Sequence, residues 1–391
     1  MNDFSTAALQ QLGRGARRLD LSRVKDTVAG ASALVTGGGG SIGAALARAL
    51  SAHSARTITA LDSSEHALAN LMSVSTDLDR PKLQEVIADV RDRARLARVL
   101  ERSAPDIVFH AAALKHIHLG DRHPTECILT NLVGVKNTLD AAEANGAPLL
   151  VFISSDKAAA PTSVMGACKR LAELFLQGRN AQLRPTRALT VRFGNVLGSQ
   201  GSVVEVFERQ ISAGGPVTLT HRDMQRYFMT IEEAVGLILL ATAEGAKSQE
   251  AANFLLDMGA PVKILHLAER MIKASGREIA IVETGPREGE KFDEELYDAY
   301  ESLHPAGVDG LLAIRSHAAR HVTDADVDRL EAIAHRGDEN RARAAVFELL
   351  HACLGGSPAT AAATAAAATA HTASRQTPSR PYLSAGVEEQ T

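Results

Sequence analysis

The stretch Ala31-Ser-Ala-Leu-Val-Thr-Gly-Gly-Gly-Gly-Ser-Ile-Gly43 decides how the chain is read. Ala33, Leu34 and Val35 form an apolar run that reads as a strand, and the Ala/Leu-rich segment through Leu50 reads as a helix. Gly37, Gly40 and Gly43 give the spacing G-x-x-G-x-x-G, while Gly38, Gly40 and Gly43 satisfy G-x-G-x-x-G. Such spacing is weak evidence by itself. Between a strand and a helix it specifies a tight turn, bare backbone beside a pyrophosphate, and a helix N-terminus whose free amides, at Ser41, Ile42 and Gly43, face the anion.

Outward from this loop, Thr57 to Leu61 reads as a second strand ending in Asp62. Asp62 lies about 20 residues after Gly43, where an acidic side chain binds a ribose 2′-hydroxyl. With Glu65 nearby and no adjacent arginine a 2′-phosphate would be repelled, so NAD is expected rather than NADP. Asp62 also suits a helix N-cap with Ser63, and that alternative stays open. The alternation continues through Glu85 to Asp92, Pro105 to Ala113 and a helix from Pro124 through Ala144 that carries Asn131. Strand trading with helix in this way predicts an α/β fold of Rossmann type, a doubly wound parallel sheet with helices on both faces. Asp89 with Val90 suits an adenine edge, and Ala111 and Ala112 let a cofactor lie close to the backbone. Each of these could equally be a turn acid or a packing residue.

The next strand, Leu149 to Ile153, is apolar throughout, as in a parallel sheet covered on both faces. Ser154, Ser155, Asp156 and Lys157 follow at its carboxyl end, where ligands gather in open α/β sheets. Pro161 restarts the chain, and Met165 to Leu176 reads as a helix. Met165 and Lys169 are four residues apart and share one helix face. The spacing matches the Tyr-x-x-x-Lys pair of short-chain dehydrogenases/reductases, with Met where Tyr would stand; a core methionine beside a snorkelling lysine is the competing explanation.

Of 391 residues 45% are hydrophobic and 23% charged, enough for one large or two modest cores. A net charge near −4 gives no basic footprint for nucleic acid. Cys127, Cys168 and Cys353 lack paired spacing, which argues against a disulfide framework and a metal site and fits a reducing cytoplasm. The apolar stretch from Val235 to Ala243 is far short of the roughly 20 residues that span a bilayer, so no membrane span is expected.

The expected organisation is an N-terminal arm over 1–30, a dinucleotide-binding domain over 31–194, a smaller substrate lobe with C-terminal helices over 195–353, and a disordered Ala/Thr-rich tail over 354–391. Two amphipathic helices are expected at 324–335 and 339–353. In the lobe, loop arginines such as Arg226 and Arg287 suit diphosphate oxygens.

Taken in order, Thr36 to Gly43, His110 to His116, Ser155-Asp-Lys157 with Met165-Gly-Ala and Lys169 to Glu173, Val191 to Gly198, Arg226 to Thr230, Asp257-Met-Gly259 with Pro261 to Lys263, and Gly289-Glu-Lys291 carry a resemblance. From about Leu12 to about Leu350 the chain resembles the catalytic domain of CapD-type polysaccharide biosynthesis proteins, extended short-chain dehydrogenases/reductases that include UDP-N-acetylglucosamine 4,6-dehydratases. Long members carry membrane-spanning segments before this domain, and Leu12-Gly-Arg14 is similar to their linker, so the chain resembles their soluble part standing alone. Ser155 and Glu288 stand where members usually have Thr and Pro, and Met165 occurs within the family in place of Tyr.

The resemblance implies NAD-dependent dehydration of a UDP-sugar: oxidation at C4, removal of the C5 proton by Lys157, protonation of the departing C6 hydroxyl by Asp156, and return of the hydride to C6. Lys169 would hold the nicotinamide ribose, and Ser154 or Ser155 would orient the C4 hydroxyl. Met165 leaves open which group takes that hydroxyl's proton. Lys115, Asn195, Arg226 and Arg287 would hold the substrate, and a homo-oligomer is expected. Lys157 must be neutral and Asp156 protonated for these roles. Bringing a lysine from about 10.4 to roughly 7–8 takes on the order of 4 kcal/mol, which burial under the sugar and repulsion from Lys169 would supply. A UDP-hexosamine 4-epimerase and a non-catalytic NAD-binding sensor or scaffold are the alternatives.

Overall fold

The computed structural model describes residues 19–73, 82–182, 184–248, 252–286 and 290–355. The Leu12-Gly-Arg14 segment, Arg287, Glu288 and the tail beyond residue 355 lie outside the described residues. Nine strands form the main sheet: β1 (Ser32–Thr36), β2 (Thr57–Asp62), β3 (Lys82–Ile87), β4 (Ile107–His110), β5 (Leu149–Ile153), β6 (Arg187–Arg192), β7 (Asn253–Leu256), β8 (Glu301–Pro305) and β9 (Leu311–Ser316). Their spatial order is β8-β9-β7-β6-β5-β4-β1-β2-β3. From β3 to β7 every pairing is parallel, and β9 and β8 then add antiparallel at one edge. The order reverses between β1 and β4, the crevice where such sheets bind ligands. The doubly wound α/β fold expected from the alternation is the fold observed.

Alternate residues of each strand go to opposite faces and into two separate cores. Leu34, Val108, Leu150 and Phe152 join one, with α4 (Arg93–Ser103), α6 (Pro124–Ile128), α7 (Gly134–Ala144) and α8 (Val164–Ala181). Val35, Phe109, Val151 and Val191 join the other, with α1 (Ser22–Val28), α2 (Ser41–Ala52), α3 (Glu65–Ser73) and α10 (Ile231–Lys247). The apolar Val235–Ala243 stretch is the buried middle of α10, and among the described residues no helix is long and apolar enough to cross a membrane. Helix α1 falls within the segment read as an arm, and Val24 and Val28 are fully buried there.

The lobe after residue 195 has its own core, in which Phe207 and Ile211 of α9 (Val203–Ser212) meet Leu267 and Met271 of α11 (Ile264–Ser275). A boundary at 195 nevertheless separates less than the sequence suggests. Strands β7, β8 and β9 return to the main sheet. Helices α12 (Asp324–Ala334) and α13 (Glu339–Leu354) pack on the nucleotide half, burying Val327, Leu330, Val346 and Phe347 in the core shared with α8. Their apolar stripes have no partner in the lobe, so they follow the largest apolar face.

Candidate active site

At the reversal point, Gly37 turns with φ 66°. A Cβ there would lie 2.7 Å from Ala112 N, and one at Gly43 would lie 2.1 Å from Gly37 O, so both must be glycine. No side chain caps the N-terminus of α2 at Gly40, which leaves the amide-lined end of a 12-residue helix facing the crevice. This cradle fits a dinucleotide pyrophosphate. Asp62 accepts from Gly39 N at 3.0 Å and from Ser64 N at 2.9 Å. It thus braces the glycine loop and starts the turn before α3. Asp89 is held by Arg91 at 2.6 Å, and Arg91 also reaches Glu126. Burial would raise the Asp89 carboxyl, but the hydrogen bonds from Arg91 outweigh it and hold the group below its usual range. Ala112 N donates to Thr36 Oγ1 at 3.3 Å, drawing the Ala111–Ala112 backbone against β1. Val90 is buried and packs against Gly134, so it serves as core.

Ser41 and Lys115 share a partner that sequence reasoning missed. Gln200 N donates to Ser41 Oγ at 2.9 Å, and Lys115 Nζ donates to the Gln200 carbonyl. The loop after Gly198 is thereby tied across the start of α2. Burial lowers the Lys115 ammonium from its ordinary value.

Beyond β5 the chain keeps pairing with its neighbour: Ser154 N donates to Val191 O and Asp156 N to Phe193 O. A single 3₁₀ turn, Asp156–Ala158, follows. Asp156 is fully buried. Ser155 Oγ donates to Asp156 Oδ1 at 2.9 Å and accepts from Lys157 N at 3.2 Å. Lys157 Nζ lies 2.9 and 3.1 Å from the two Asp156 oxygens, 2.9 Å from Asn195 Oδ1 and 3.6 Å from Glu294 Oε1. Two glycines make room. A Cβ at Gly166 would sit 2.2 Å from Lys157 O, and one at Gly194 would sit 3.1 Å from Asp156 Oδ2. Beside Nζ a small cavity is lined by Ile117, Lys157, Thr162, Ser163, Lys291 and Glu294.

These positions revise several expectations. Oxygen atoms of Asp156, Asn195 and Glu294 surround Lys157 Nζ, and burial depresses Lys169 as well as Lys115, pushing Lys169 down to about 8 against the pull of Glu173. Lys169 Nζ donates to Ile153 O at 2.9 Å and lies 4.5 Å from the centre of the Phe152 ring. Asn195, expected at the substrate diphosphate, accepts from Lys157 Nζ through its Oδ1. Arg226 is buried, donates to the Gln225 and Phe292 carbonyls, and lies 3.5 Å from Glu294. Met165 is 3% exposed within the core of α8, where its thioether packs and offers no proton acceptor. Ser154 gives its hydroxyl to Glu173 at 2.6 Å, which leaves Ser155 facing the dyad.

Glu294 had no legible signal in an acidic stretch. Asn131 had one, its place in the middle of a helix, but no assigned role. There the helix opens into a π turn, Leu129–Val133, and Asn131 accepts from Leu114 N and donates to Leu114 O, both at 2.8 Å. That bond pair fixes the loop leading to Lys115.

A glycine-cradled helix N-terminus at the sheet reversal, with polar side chains at the end of β5 and a lysine one turn into the next helix, defines an extended short-chain dehydrogenase/reductase. The family profile described as "Polysaccharide biosynthesis protein" matches residues 33–316, and the chain belongs to that family. It is 43% identical over 298 residues to the probable polysaccharide biosynthesis protein EpsC of Bacillus subtilis, covering 74% of this chain and 49% of that protein. A capsular polysaccharide biosynthesis protein CapD of Staphylococcus aureus, 42% identical, is covered to 50%, so the chain spans about half the length of these relatives. The UDP-N-acetylglucosamine 4,6-dehydratase (inverting) of Campylobacter jejuni is 32% identical over 69% of this chain and 78% of its own length. Among solved structures, that of Pen from Bacillus thuringiensis matches with a TM-score of 0.67 at 30% identity, covering 76% of this chain and 91% of that one.

Proposed function

We propose that the chain binds NAD and a UDP-N-acetylhexosamine, UDP-N-acetylglucosamine above all, and eliminates water between C5 and C6 to give a UDP-4-keto-6-deoxy sugar for glycoconjugate synthesis. One observation carries the reading: a buried carboxyl and an amine 2.9 Å apart at the sheet's carboxyl edge, the pair that an elimination needs. Bound NAD supplies the acceptor for the C4 hydride and its return to C6. The glycine cradle and α2 would hold its pyrophosphate, Asp62 its adenosine ribose and Lys169 its nicotinamide ribose. Lys157 takes the proton from C5, the C5–H electrons form the C5–C6 double bond, and the C6–O bond breaks as Asp156 gives its proton to the leaving hydroxyl. Because the two groups are hydrogen-bonded, moving one proton from Lys157 to Asp156 reaches the working state without exchange with solvent. Ser155, bonded to Asp156, is the hydroxyl placed to orient the C4 oxygen. The 195–286 lobe would cover the nucleotide, and the chain would act in the cytoplasm as a homo-oligomer.

A 4-epimerase returns hydride to C4 and has no C6 leaving group to protonate, so the buried Asp156 favours elimination. Incubation of the protein with UDP-N-acetylglucosamine in D2O tests the choice. Loss of one water with deuterium at C5, abolished by Lys157→Ala, is expected. Unchanged mass with UDP-N-acetylgalactosamine appearing would make it an epimerase, and retained NAD without turnover of any UDP-sugar would favour a sensor or scaffold.

A further inference from the structure

Glu294 is 8% exposed yet belongs to no helix or strand. Its carboxylate sits between two cations, 3.6 Å from Lys157 Nζ and 3.5 Å from Arg226 Nε. Lys157 is faced by Asp156 from its own turn, by Asn195 from the segment after β6, and by Glu294 from the segment before β8. Thr162 and Ser163, at the start of α8, and Ile117, from α5 (Ile117–Arg122), line the same cavity without charge, and Lys291 enters it as the second amine. Lys291 is itself held by Glu295 at 3.0 Å. Two carboxylates therefore flank one amine.

We propose that Glu294 is a positioning residue for Lys157, holding its amine beside Asp156 and so governing when that amine is free to accept a proton. The idea rests on the elimination reading and deepens it. After elimination Asp156 has given up its proton, and Lys157 carries the one taken from C5. A second carboxylate keeps that proton on nitrogen until C5 is ready to receive it. Arg226 lies on the far side of Glu294, 3.5 Å from it, and anchors the carboxylate where it faces Lys157.

The test is acetylation of Lys157 by acetic anhydride across a pH series, followed by mass spectrometry of its peptide, in the whole protein without ligand. Accessibility alters the amplitude of such a curve, while the proton affinity of the amine sets its midpoint. Glu294→Gln keeps the shape and removes the charge. The midpoint should move to lower pH by about half a unit to one unit, a three- to tenfold gain in reactivity on the acid side. Glu294→Asp, which retracts the carboxylate, should shift it less in the same direction and serves alone should Glu294→Gln not fold. An unchanged midpoint in the folded variants overturns the proposal. The acid limb of kcat/KM should move with it if the dehydratase reading holds. A shifted midpoint in a protein that turns over no UDP-sugar would sink that reading and leave the role of Glu294 standing.

Discussion

Ser154 Oγ donates to Glu173 Oε1 at 2.6 Å, joining the end of β5 to the middle of α8. Glu173 also takes Arg192 and Arg170, and both arginines reach Glu301 on β8. Arg170, Arg192, Glu173 and the Glu301 side chain are essentially excluded from water. Burial pulls against ionisation of Glu301, but Arg192 and Arg170 overcome it and hold the carboxyl below its usual range. Glu173→Gln leaves two buried guanidinium groups short of a counter-charge. A loss of about 3–5 kcal/mol is expected, read as a lowered urea midpoint. The amide keeps an acceptor for Ser154 but loses the ion pairs that seat α8, so kcat should fall in whatever fraction stays folded.

Gly166→Ala tests how closely α8 must approach the dyad. Its Cβ would fall 2.2 Å from Lys157 O, and backbone cannot yield as a flexible side chain can. The Asp156–Ala158 turn has to shift. A displacement near 1 Å costs on the order of 100-fold in rate, while stability should fall by only about 1–3 kcal/mol. Comparing kcat with thermal unfolding separates the two effects.

Gly43→Ala tests the cradle. The added methyl would meet Gly37 O at 2.1 Å and force the loop open. NAD binding by calorimetry should be lost at concentrations that saturate the unaltered protein, with circular dichroism little changed. Retained binding would move the pyrophosphate elsewhere.

Lys169 offers a pH signature. Burial pushes it down to about 8 from 10.5, so the unfolded chain binds more protons than the native one between those values. Stability should therefore rise with pH across about 8 to 10.5. Below that window the buried charge costs roughly 3 kcal/mol. Lys169→Met should be more stable than the unaltered protein at pH 7 and should lose the rise, as measured by urea unfolding at several pH values. Its activity should be lost with the lysine.

The glycine loop and the dyad were legible because local constraints write them into adjacent residues: Gly37 and Gly43 by sterics, Asp156 and Lys157 by their place after an apolar strand. Asn195 and Glu294 reach Lys157 across 38 and 137 positions of sequence, and nothing in their own neighbourhoods announces it. The boundary at 195 misled because β7 looks like any other apolar strand, and only pairing with β6 shows that it belongs to the main sheet. Met165 misled in the opposite way. Its spacing from Lys169 is that of a reactive pair, whereas its surroundings are those of a core side chain.

Helix α8 is buried along nearly its whole length, and one of the helices that covers it, α13, is translated about 160 residues later. During synthesis the helix that carries Lys169 must therefore wait, its apolar flank exposed, until almost the entire domain has left the ribosome. The nascent chain would be most in need of a chaperone during that interval. A stop codon before Glu339 would remove no residue of the dyad and still deny the chain its finished core.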